Sequence, residues 1–91
     1  MSEDDVVFVT VSGRKETMQY TVHLSRPDVP KDVLLVYAMV TYSDAKESPK
    51  PYALIVTDIP GLTEAYAACT AFFGRFKGIV EISFPTYAYI P

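Results

Sequence analysis

Residues 32–42 read DVLLVYAMVTY, and the reading of that run decides the fold. As a strand it is apolar on both sides, with Val33, Leu35, Tyr37 and Met39 opposing Leu34, Val36, Ala38 and Val40. A buried helix is the competing reading of so continuous a run. The β-branched and aromatic content favours a long central strand covered on both faces.

On the N-terminal side lies the loop 25–31, SRPDVPK, where Pro27 and Pro30 restrict their predecessors and remove two donors. Before it, residues 18–24, MQYTVHL, alternate cleanly. Met18, Tyr20, Val22 and Leu24 fall on one side, Gln19, Thr21 and His23 on the other. Residues 6–11, VVFVTV, form another β-rich run, and the polar SGRKET between the two suits a hairpin turn at Gly13.

On the C-terminal side, residues 43–51, SDAKESPKP, make a hydrophilic surface loop, and residues 52–57, YALIVT, a short strand. Residues 60–78, PGLTEAYAACTAFFGRFKG, read as the single helix. Asp58 and Thr63 are rival N-caps, and Lys77 with Gly78 gives a conventional end. Residues 79–84, IVEISF, are the next strand. Pro85 interrupts it before TYAYI at 86–90, which argues for a sheet edge, a bulge or a bend.

The expected fold is therefore α+β: a mixed, mainly antiparallel sheet of about five strands in the order β-β-β-β-α-β, with one helix packed on one face. A crossover joining two parallel strands is expected around the helix. At 91 residues the chain makes a single domain, preceded by an acidic tail at residues 1–5.

The helix has almost no polar face. Leu62, Tyr66, Cys69, Phe73 and Phe76 form a core stripe at spacings of four and three. Ala67, Ala68, Ala71 and Gly74 form a strip of small residues, which suits close approach by a second copy or simply reflects alanine's helix propensity. One helix covers one sheet face only. The doubly apolar strand thus calls for a second cover, from strands curling into a barrel or from another subunit.

Composition narrows the function classes. Eight Lys and Arg against eleven Asp and Glu give a net charge of −3, an unpromising balance for binding phosphate backbones. With one Cys there is no internal disulfide and no multi-cysteine metal site. The N-terminus lacks the order of a secretory signal, and no apolar run reaches the ~20 residues needed to span a bilayer. The default expectation is a cytoplasmic protein without membrane contact.

Chemistry-bearing residues are sparse. His23 has no second His or Cys at ligand spacing, and Cys69 sits on the inward stripe. The glycines match neither a P-loop nor a dinucleotide fingerprint. No catalytic residue, cofactor or metal is expected. The leading expectation is a non-enzymatic interaction domain, self-associating as a homodimer or serving as an accessory subunit. It would bind protein through an apolar sheet face, the helix strip (Ala67, Ala71, Gly74) or the C-terminal tyrosines Tyr87 and Tyr89. One alternative is a nucleic-acid module using Arg14, Lys15, Arg75, Lys77 and the tail aromatics. Another is a small-ligand or catalytic domain with Tyr37, His23 or Cys69 lining a pocket.

Overall fold

The computed structural model describes residues 6–13, 17–44 and 49–91. The acidic tail, Arg14 and Lys15, and the middle of the 43–51 loop lie outside them. Five strands and one helix follow in the expected order: β1 (Val7–Ser12), β2 (Gln19–His23), β3 (Val33–Tyr42), β4 (Lys50–Thr57), α1 (Leu62–Phe73) and β5 (Ile79–Ile90). They build one open α+β sheet in the order β2-β1-β4-β3-β5. Three pairings are antiparallel, and β1 runs parallel to β4.

The strand at the centre is β4, not β3 as expected; β3 lies between β4 and β5. Alternation accounts for this: Ala53 to Val56 are buried on both sides, while β3 exposes Tyr37. Both β4 and β5 are antiparallel to β3, so they run in one direction, and α1 carries the chain across the helix face from one to the other. The crossover therefore joins parallel strands, as expected, but with β3 inserted between them.

A second crossover covers the opposite face. Strands β2 and β3 also run in one direction, and residues 24–32 link them past β1 and β4. Val29 of that link packs with Phe8 and Ile90 against Val33, Leu35, Ala53 and Ile55, and the Arg26 guanidinium lies 5.7 Å from the Phe8 ring centre. The second cover is thus a proline-pinned loop rather than a closed barrel. It was not foreseen because the polar residues around Val29 mask its apolar side chain.

Helix α1 is shorter than the 60–78 expected. Its last turn tightens at Gly74, whose N–H donates to the Thr70 carbonyl, followed by Arg75 to Phe72 and Phe76 to Phe73. Lys77 and Gly78 lie beyond the helix. Gly78 adopts φ 88°, and its carbonyl accepts the Ser43 N–H at 2.7 Å, starting β5 on its way back along β3. At the other end the N-cap is Gly61 at φ 85°, with no side-chain cap. Neither Asp58 nor Thr63 fills that role, since Asp58 lies three residues before the cap and Thr63 is already inside the helix.

The buried line of the helix is Ala65, Ala68, Cys69, Phe72 and Phe73. It is offset from the expected stripe: Leu62 and Phe76 are exposed and Tyr66 half-buried. Small Ala65 and Cys69 let the helix axis approach Val9, Val36, Leu54 and their neighbours, while the rings wedge in at the flanks. Ala68, placed by sequence in the small-residue strip, instead faces the core.

Candidate interaction edge

Strand β5 is the longest element of the sheet's rim, with twelve residues, and its single neighbour in the sheet is β3. Pro85 does not end it. The register against β3 shifts between Tyr37 and Met39, opposite Thr86 and Ser83, so the proline sits in an irregularity on an edge strand. From Thr86 to Ile90 the pairing is regular, residue for residue with Tyr37 to Val33.

That regular half carries the tyrosines. Tyr87 and Tyr89 pair with Val36 and Leu34, so both rings stand on the helix face, where α1 covers them only in part. Tyr87 is 49% exposed and Tyr89 61%. Tyr66 reaches out from α1 to meet Phe84 at 5.1 Å and Tyr87 edge-on at 6.4 Å. The Tyr89 hydroxyl donates to Asp32 Oδ1 at 3.0 Å, which holds the phenol above its ordinary pKa, because ionising it would remove the bond and set two negative charges side by side.

The two tyrosines also form one wall of a cleft of about 380 Å³, whose floor and rim include Leu34, Val56, Leu62, Asp32 and Asp58. Asp32 and Asp58 both adopt φ 60°, a left-handed conformation that aspartate tolerates better than most residues. The cleft lies at the uncapped start of α1, where Ile59, Gly61 and Leu62 also line it.

The remaining expected interface residues fall elsewhere. Ala67, Ala71 and Gly74 are exposed on the solvent side of α1 and do not line the tyrosine cleft. Residues proposed for other chemistry do not converge. Arg75 and Lys77 follow the C-terminus of α1, and the Arg75 guanidinium rests 5.2 Å from the Tyr20 ring. The tail tyrosines sit near the opposite end of the helix, beside two aspartates. His23 and Tyr37 occupy the loop-covered face, separated by β1 and β4, and His23 Nε2 is hydrogen-bonded to Thr10 at 2.7 Å. Cys69 is buried under the helix on the other face, and burial pushes its thiol up to about 12. Among the described residues, no group of three or more His, Cys, Asp or Glu is placed to hold a metal ion, and no helix is long and apolar enough to cross a membrane.

The sequence pointed to Tyr87 and Tyr89 through their shared side of a strand. It gave no signal for Asp32 or Asp58 beside them, since the left-handed turns that bring both to the cleft depend on how β3 and β4 begin and end.

No protein-family model matches this chain, and neither a curated protein nor a solved structure matches it significantly.

Proposed function

We propose that this domain is a non-enzymatic protein-interaction module that docks through β5 and the tyrosine surface it carries. The observation that supports this reading is a twelve-residue edge strand whose regular half presents two exposed tyrosines. An edge strand offers unpaired N–H and C=O groups as a template for another strand. Tyrosines bring large contact area at little entropic cost, and they are enriched among residues that dominate binding energy. Edges that are not used are blunted by charge, proline or a bulge, and in β5 all three (Glu81, Pro85 and the register shift) fall before Thr86, leaving residues 86–90 without them.

The nucleic-acid alternative has less support. Its cations and its aromatics sit at opposite ends of α1, and aspartates flank the aromatics. The test is affinity capture with the immobilised chain, run beside a Tyr87→Lys/Tyr89→Lys control of equal thermal stability. The reading expects a protein, whether another polypeptide or this chain itself, to be retained by the unsubstituted domain and lost from the control. Equal retention on both would contradict it.

A further inference from the structure

We propose that the partner of β5 is β5 of a second copy, paired antiparallel about a two-fold axis through Ala88. This deepens the interaction reading and rests on it. The argument begins with a symmetry in the strand. Residues 85–91 read PTYAYIP, and the segment is nearly the same in both directions. Turned about Ala88, Tyr87 falls opposite Tyr89 of the second copy, Thr86 opposite Ile90, and Pro85 opposite Pro91. Aromatic pairs directly across an antiparallel ladder are among the stabilising ones, and no like charges oppose each other anywhere in this register.

The backbone agrees with the side chains. The Ile90 carbonyl turns toward β3, where it accepts the Asp32 N–H at 2.7 Å. Strand alternation then aims the N–H and C=O groups of Tyr87 and Tyr89 at the open side. Opposite each other across the two-fold axis, these two residues form closely spaced hydrogen-bonded pairs, with Ala88 facing Ala88 in the non-hydrogen-bonded position between them. Prolines at 85 and 91 have no N–H to extend the ladder. The register is therefore limited on both sides, and a slip of one residue would put tyrosines on the wrong face.

The axis stands normal to the sheet, so the two sheets join into one of ten strands with both helices on the same side. The four tyrosines then form one cluster between those helices, each pair still walling its own cleft. A contact of this size belongs to the weak class of interfaces, so association is expected in the micromolar range rather than below it.

Only a two-fold axis at Ala88 sets residue 88 against itself, which makes the proposal testable. Light scattering on the full chain should show the mass rising from 10.1 kDa toward twice that value over the micromolar range. Ala88→Glu and Ala88→Lys should each be monomeric at the concentration where the unsubstituted chain is dimeric, and an equimolar mixture of the two should recover the dimer. Should either variant fold poorly, Ala88→Cys replaces them, because facing Cα atoms in a non-hydrogen-bonded pair lie within disulfide reach. Under mild diamide oxidation it should cross-link at least tenfold faster than Ser83→Cys, an exposed position on the same strand. A mass of one chain at every concentration overturns the proposal, as does equal cross-linking of the two cysteine variants. If the chain stays monomeric while capture of another protein depends on Tyr87 and Tyr89, self-pairing fails and the interaction reading stands. If it dimerises without cross-linking at 88, the two-fold axis is not at Ala88 and this proposal fails, while the interaction reading stands or falls with the capture test on Tyr87 and Tyr89.

Discussion

At the C-terminal end of α1, Phe72, Phe73 and Phe76 interlock with one another, while Phe72 meets Tyr20 at 5.3 Å and Phe73 meets Tyr52 edge-on at 5.0 Å. At its N-terminal end, Tyr87, Tyr89 and Leu62 line an open cleft. One end is filled with rings that touch only this chain. The other presents rings that find few partners within it. Aromatic rings thus fill the core at one end of the helix and stand exposed beside the cleft at the other.

The largest expected effect breaks the closed end. Phe73 is 1% exposed, and Phe73→Ala should destabilise the domain by about 3–5 kcal/mol in urea unfolding. A change of under about 1 kcal/mol would mean the aromatic cluster is not the anchor described. At the open end, Gly61 has φ 85° and ψ 149°, a region essentially reserved for glycine, and a Cβ there would run into the Glu64 carboxylate. Gly61→Ala should cost about 1–3 kcal/mol by the same measurement.

A smaller effect follows from pH. The Cys69 thiol is raised to about 12 in the folded state by burial, and the Tyr52 phenol is raised by burial and by its hydrogen bond to Tyr42 at 2.6 Å. Both groups have folded values above their unfolded ones, so the unfolded chain releases protons first as pH rises. Stability should therefore be level near neutrality and fall above pH ~8.5, where an unfolded thiol begins to ionise. Cys69→Ala should flatten the first part of that fall, whereas Tyr89→Phe, at the exposed end, should leave it in place. The smallest expected effect is that of Tyr89→Phe at neutral pH. Removing an exposed hydrogen bond to Asp32 should leave the urea unfolding curve indistinguishable from that of the unsubstituted domain.

Local chemistry made the elements legible. The alternation of residues 18–24 marked β2, and Pro85 marked an irregular edge strand. The arrangement of the strands was less legible. The parallel pairing of β1 with β4, which moves β4 to the centre, depends on where two crossovers pass, and no single segment encodes that. Helix length was overread because FFGRFKG keeps its apolar spacing past Gly74, where the backbone has already tightened and turned. The small-residue strip was only partly legible: Ala67 and Ala68 differ by one position, yet one faces solvent and the other the sheet. Tyr87 and Tyr89 could be placed on one side of a strand, but their exposure depends on how far α1 reaches along β5.

The central claim concerns which backbone groups a second chain would cover. Amide hydrogen exchange resolved by residue, recorded at low and at high micromolar protein, addresses it most directly. The account predicts that protection of the Tyr87 and Tyr89 amides rises with concentration while that of β2, the opposite edge, does not change. Concentration-dependent protection in β2, or constant exchange at both tyrosines, would contradict it.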